Sequence, residues 1–349
     1  MAAAIGQQEL RTRASAKFTR AAEMFFTRAG WEQASPEVVS RHRSHRYRNS
    51  ATIADLCCGI GGDLVALAAD ADVLAVDRDP VHVWMARQNA RVYGVDGNVE
   101  TREADVREVD LSGFDAVFID PARRSASGRK RVGASEPPLD WCLDLHRSVD
   151  RVAIKAAPGL PHDVVPAGWE MEFVAMDRDL KEAVLYAPGL ATAATRATVL
   201  PAGDTLVAGH GGDRVEVVDP SEYLLDPNPV VTRAGLVEDL ARELGAHKID
   251  EAIAFLTSDV EVHSPFARTL RVLDSAPWNQ KQLPERLRRL DIGAVDIRRR
   301  GLAGDVDAVH RKLKLSGSRR ATLVMTRARN RPWALICVDV ASTPEGSLR

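Results

Sequence analysis

Short aliphatic and β-branched runs alternate along the chain with stretches whose apolar positions recur at helical spacing. Residues 53–56, 73–76 and 114–119 read as buried strands, with a further strand around Val99, and residues 63–69 and 81–92 between them read as helices. Strands alternating with helices predict an α/β fold with a mostly parallel sheet. Runs at 151–154, 169–176 and 181–186 continue it. Only Asp177-Arg178-Asp179-Leu180 separates the last two, too short for a parallel crossover of about ten or more residues, so an antiparallel hairpin is expected.

Upstream, residues 14–29 predict a helix with Phe18, Ala21, Ala22, Phe25 and Phe26 on one apolar stripe, expected to pack on the central domain. The following Arg41-His42-Arg43-Ser44-His45-Arg46-Tyr47-Arg48 is dense in cations and reads as an exposed arm or helix end. Residues 201–229, rich in Gly, Pro and Asp, interrupt the pattern and place a boundary near Val218. Beyond it come a helix over 230–244, a strand over 269–273, a helix over 280–290, a strand over 294–297, a helix over 306–313 and strands near Leu323 and Leu335. The expected units are a helical, basic extension (1–50), a central domain (51–217) and a small α+β domain (218–349).

A length of 349 residues exceeds what one hydrophobic core usually supports, in keeping with that division. At 45% hydrophobic and 28% charged residues the composition is that of an ordinary globular protein. Cys57, Cys58, Cys142 and Cys337 form no C-x-x-C pair or His-paired cluster, so no zinc site or disulfide framework is indicated and a reducing cytoplasm is expected. The first thirty residues hold no continuous apolar run and no stretch approaches ~18 apolar residues, which disfavours export and membrane spanning.

The formal net charge of −2 hides an uneven distribution: +5 over residues 1–50, −17 over 51–267 and +11 over 268–331. Basic flanks around an acidic centre fit flanks that hold a phosphate backbone, with ordinary solvated charge as the alternative.

The run from Ile53 to Asp63, I-A-D-L-C-C-G-I-G-G-D, is a buried strand entering a glycine turn and then a helix. Such a turn lets a ligand approach the backbone closely. A dinucleotide fingerprint would want a third glycine at Leu64, and Asp55 would repel a pyrophosphate. The same acid suits S-adenosylmethionine, whose ammonium and sulfonium are cationic. Asp77 closes the next strand, placed to accept from both ribose hydroxyls, with Asp79 as a substitute. Asp105 is placed either to accept from an adenine amino group or to cap the turn at Val106-Arg107-Glu108.

The strand at 114–119 delivers Asp120 and Pro121 to the carboxyl edge, where open α/β sheets bind ligands. Methyl transfer chiefly needs the nucleophile held in line. Asp120 and a carbonyl fixed beside Pro121 could accept N–H protons and aim a nitrogen lone pair, while a capped turn is the structural alternative. The aromatic of N-P-P-[YFW] aminomethylases is absent, since Ala122 and Arg123 stand there, and no Cys follows Pro121. Arg123, Arg124, Arg129, Lys130 and Arg131 set five cations beside this site, a placement that a polyanionic substrate would explain. The scattered histidines suggest no metal site.

These residues resemble class I S-adenosylmethionine-dependent methyltransferases with a C-terminal THUMP-like domain. The run from Asp55 to Asp63 looks like their first motif, and the run from Met85 to Gly94 is similar to the helix after the ribose-binding acid, there and in trimethylguanosine-synthase-like enzymes. Asp120-Pro121-Ala122-Arg123-Arg124 resembles the fourth motif and Leu180-Lys181-Glu182-Ala183 the hairpin. Arg233-Ala234-Gly235-Leu236-Val237 and Arg299-Arg300-Gly301 resemble the THUMP-like unit. The resemblance implies a Rossmann-like, seven-stranded sheet. It implies donor binding by Asp55, Gly59, Gly61, Asp77 and Asp105, with Cys57 and Gly62 in the same turn, and an acceptor site at Asp120 and Pro121. RNA binding is implied by analogy with true THUMP domains. Arg286, Arg288, Arg289, Arg298, Arg299, Arg300, Arg311, Lys312 and Lys314 are candidate phosphate contacts.

The expectation is a methyltransferase acting on a base nitrogen of structured RNA, with S-adenosylmethionine as cofactor and neither metal nor membrane involved. A small-molecule or protein acceptor, or a non-enzymatic RNA-binding protein with a relic pocket, are the alternatives.

Overall fold

Ile53, Ala54, Asp55 and Leu56 are all buried, as a strand covered on both faces requires. This strand, β1 (Thr52–Leu56), runs parallel to β2 (Asp72–Asp77), which runs parallel to β3 (Val99–Glu103). On its other side lie β4 (Ala116–Ile119) and then β5 (Arg151–Ala156), both parallel. β6 (Glu170–Met176) and β7 (Asp179–Tyr186) form the antiparallel hairpin, with β7 paired to β5. The computed structural model describes residues 2–123, 135–209 and 211–340, and the chain divides into units 1–208 and 209–349.

The first sheet has nine strands rather than seven, in the order β9-β8-β6-β7-β5-β4-β1-β2-β3. β8 (Thr195–Leu200) adds in parallel to β6, and β9 (Asp204–Val207) closes the edge. The Gly/Pro-rich stretch therefore begins with a strand of this sheet, and the division falls at 208 and 209 rather than near Val218.

The N-terminal segment departs from its expected form. α1 (Ala2–Ala14) ends where a helix was expected to begin, and turns lead to α2 (Arg28–Gln33) and α3 (Glu37–Ser44). Phe18, Ala21 and Phe26 are nonetheless buried, packed with Met24, Ile60 and Met85, while Ala22 is exposed. Burial of apolar side chains survives without helical periodicity because turns can aim them inward equally well. α4 (Leu64–Leu67) follows the glycine turn. α5 (Pro80–Tyr93) starts under an Asp79 cap on the Val81 N–H, with Pro80 in its first turn, and stops at Gly94, whose φ is +73°.

The cationic run 41–48 is a helix end, the last turn of α3 and the short turn after it, rather than an exposed arm: Arg41, His45 and Arg48 stay exposed, but Arg43, His42 and Arg46 turn inward. Arg43 is 2% exposed and donates to Asp63 and Glu182. His42 Nε2 lies 2.8 Å from Glu172, and Arg46 donates to Glu170 at 2.7 Å. Glu170, Glu172 and Glu182 point to one sheet face, so these cations neutralise buried acids and are withdrawn from any phosphate.

In the second unit the sheet order is β11-β12-β10-β13-β16-β15-β14. The strands are β10 (Tyr223–Pro227), β11 (His247–Lys248), β12 (Leu256–Ser258), β13 (Ala267–Pro277), β14 (Ile292–Arg299), β15 (Arg319–Ala328) and β16 (Arg331–Asp339). α6 (Leu139–Asp144) belongs to the first unit. The helix expected over 230–244 is two, α7 (Pro229–Ala234) and α8 (Val237–Leu244), broken at Gly235 with φ +75°. α9 (Leu283–Arg289) and α10 (Val306–Lys312) pack through Leu283, Leu287 and Val309 on one face of the sheet.

Candidate functional site

The glycine turn leaves β1 through Cys57, Gly59 and Gly61, all in left-handed backbone at φ +61°, +52° and +82°. Gly61 is needed on a second ground: a Cβ there would stand 3.1 Å from the Cα of Ala86 in α5. A Cβ on Gly62 would press on Ala34 at 3.2 Å, whereas one on Gly59 would enter open space. Asp77 fixes the turn, its Oδ2 accepting from the Gly59 N–H and its Oδ1 from the Asp79 N–H, both at 2.9 Å. Each oxygen keeps a lone pair for a ribose hydroxyl.

Asn89, fully buried in α5, clamps the same turn. Its Nδ2 donates to the carbonyls of Ile60 at 2.8 Å and Phe25 at 3.0 Å, and its Oδ1 accepts from the Phe25 N–H at 2.8 Å. Burial pushes the Cys57 and Cys58 thiols upward, which keeps them protonated.

Asp55 is 1% exposed, and neither carboxylate oxygen has a partner among the described residues. Burial, reinforced by the charges of Asp63 and Asp120, holds its carboxyl well above the usual range. A buried acid with no cation of its own, in a ring of acids, is matched to a ligand that brings positive charge, as the ammonium and sulfonium of S-adenosylmethionine do.

Asp120 leaves β4 with its N–H on the Leu56 carbonyl at 3.2 Å, so it stands beside the end of β1 at the carboxyl edge. Its Oδ2 accepts from Lys155 Nζ at 2.6 Å. Burial would depress the Lys155 ammonium, but Asp120, Asp63 and Glu182 outweigh that and raise it. Pro121 is buried, and Ala122–Arg123 pairs with Ser135–Glu136 in a two-stranded ribbon.

Asp105 caps the single turn after β3, accepting from the Arg107 N–H at 3.0 Å, and Arg107 also bridges it to Glu136. Arg124, Arg129, Lys130 and Arg131 lie outside the described residues, as does the side chain of Arg123. In the second unit Arg298 and Arg299 are exposed, and Arg299 donates to the Gly304 carbonyl. Arg300 is half-buried, 4.9 Å above the Phe255 ring and 3.6 Å from Asp226, and Arg286 is buried on Asp274. These two hold the unit together instead of facing a phosphate. No metal-binding cluster occurs among the described residues.

Lys155, Arg43 and Asn89 were not singled out from the sequence. An isolated lysine closing the 151–156 strand was the only available signal for the first.

Residues 50–138 match the family model described as RNA cap guanine-N2 methyltransferase, and residues 267–338 match the THUMP domain-like model. Two curated proteins, from two strains of Mycobacterium tuberculosis and both named as uncharacterized S-adenosylmethionine-dependent methyltransferases, are 35% identical over 318 residues, spanning 87% of this chain and 85% of theirs. A solved structure of a Porphyromonas gingivalis protein described as a candidate methyltransferase has the same fold, with TM-score 0.81 over 96% of this chain and 89% of that one at 20% identity. The chain belongs to the S-adenosylmethionine-dependent methyltransferases that carry a THUMP-like C-terminal domain, and S-adenosylmethionine is its methyl donor.

Proposed function

We propose that this enzyme methylates a base nitrogen in a structured RNA. The observation that carries the reading is Asp120 at the carboxyl edge beside the glycine turn: one oxygen is tied to Lys155, and the other has no partner among the described residues. Asp55 would hold the donor's positive charge, Asp77 its ribose and Asp105 its adenine. Gly59, Gly61, Gly62 and the Cys57 backbone would line its approach. Bound S-adenosylmethionine supplies a methyl group on a cationic sulfur that leaves as a neutral thioether when a nitrogen lone pair takes the carbon.

Asp120 would accept an N–H of the acceptor and Pro121 would stiffen the turn, so that the lone pair is aimed and the proton lost afterwards to water. An RNA acceptor is supported by the RNA-methyltransferase model, which runs from β1 through this turn, and by the +11 charge of residues 268–331. Exposed Arg288, Arg298, Arg299, Arg311, Lys312 and Lys314 would contact phosphates, as would the cations from Arg123 to Arg131.

The test is transfer of tritium from methyl-labelled donor to total RNA of a strain lacking the protein. Label in a single modified nucleoside, strongly reduced but measurable with Asp120→Asn and weakened by salt, is expected. Label confined to protein or small molecules would overturn the RNA reading.

A further inference from the structure

β4 and β5 are parallel and Ile119 pairs with Ile154, so Asp120 and Lys155 occupy the next matched positions and share one face. The Lys155 side chain is 10% exposed, and its ammonium lies 2.6 Å from Asp120 Oδ2 and 3.5 Å from the Gln33 carbonyl oxygen. Asp63 and Glu182, the other acids acting on it, are already held by Arg43. Arg43 supplies one charge to those two acids, so Lys155 also helps balance the buried cluster, but among the described residues its hydrogen bond to a carboxylate goes to the half-open Asp120, whose side chain is 30% exposed.

A carboxylate turns easily about its last torsion, which has broad minima. A lysine offers a point contact and can hold one oxygen alone, whereas an arginine's fork engages both. We propose that Lys155 is a positioning residue for methyl transfer: it pins Asp120 by Oδ2 and thereby presents Oδ1 to the acceptor's N–H. The inference rests on the acceptor site proposed above.

The test follows labelled methyl transfer to the same total RNA, together with S-adenosylhomocysteine affinity and thermal midpoint. Lys155→Met is expected to lower kcat by about tenfold to a hundredfold, the usual cost of a misplaced group, while cofactor affinity stays within about twofold. In an Asp120→Asn background the same change should cost nothing further. Lys155→Arg serves also if Lys155→Met does not fold: it keeps the charge and the thermal midpoint, yet should lose kcat by about tenfold because its fork takes both oxygens.

Wild-type kcat in Lys155→Arg, or an undiminished Lys155→Met loss in the Asp120→Asn background, would overturn the positioning role. Full activity in Asp120→Asn, or no labelling of RNA by the wild type, would instead remove the acceptor site on which it rests.

Discussion

Arg43 Nη2 lies 2.5 Å from Oε1 of Glu182, 139 residues away in sequence, while its Nη1 reaches Asp63 at the end of the glycine turn. Its guanidinium also sits 4.7 Å from the Phe118 ring centre, so one buried cation joins α3, the glycine turn, β4 and the hairpin. The N-terminal segment is thus a layer of the fold.

Removing that cation strands two buried carboxylates. Arg43→Met should destabilise the protein by about 3–5 kcal/mol, the usual result of breaking a buried pair from one side. Urea unfolding measures it. Adding Glu182→Gln should return part of the loss, and a cost under about 1 kcal/mol would mean the pair behaves as a surface one.

The central sheet was legible because covered strands have a plain signature: continuous apolar runs ending in Gly, Asp or Pro. The glycine turn, Asp77 and Asp120 are local in sequence and could be read from it. What escaped detection depends on contacts over long sequence distances. Arg43, His42 and Arg46 look like solvated charge until Glu182, Glu172 and Glu170, 124 to 139 residues away, are folded against them. Lys155 becomes notable only when register sets it across from Asp120.

Asp55 should make donor binding depend on pH. An unfolded aspartate ionises near pH 4, whereas the buried one keeps its proton above that, so its contribution to stability becomes less favourable as pH rises. Asp55→Asn should therefore raise the thermal midpoint relative to wild type at pH 8, with the gap closing toward pH 4. Donor binding should release up to one proton, read by calorimetry in buffers of different ionisation enthalpy, and Asp55→Asn should weaken it at least about tenfold. Unchanged affinity with no proton release would contradict the assignment.

Glu172 works in the opposite sense. Burial raises its carboxyl, but the hydrogen bond and charge of His42, with Thr198 and Arg46, bring it down to about 2 from an ordinary 4.5. A depressed carboxyl stabilises the fold above its unfolded value and loses that contribution as pH falls from 4.5 toward 2. Glu172→Gln should cost on the order of 2–3 kcal/mol at pH 7 and much less at pH 3. An equal cost at both pH values would assign the effect to packing.

Gly59 and Gly61 separate binding from folding within one turn. Both have positive φ, so either alanine variant bears about 1 kcal/mol of backbone strain. Gly61→Ala also drives a Cβ to 3.1 Å from the Ala86 backbone, which α5 can relieve only by moving, so its thermal midpoint should fall further. At Gly59 the new methyl meets nothing within 4 Å and projects into open space. If that space receives the donor, Gly59→Ala should lower the midpoint by a few degrees yet weaken S-adenosylhomocysteine binding by about tenfold or more, a loss out of proportion to its strain. Calorimetric titration of both variants decides it, and normal affinity in Gly59→Ala would move the donor away from this side of the turn.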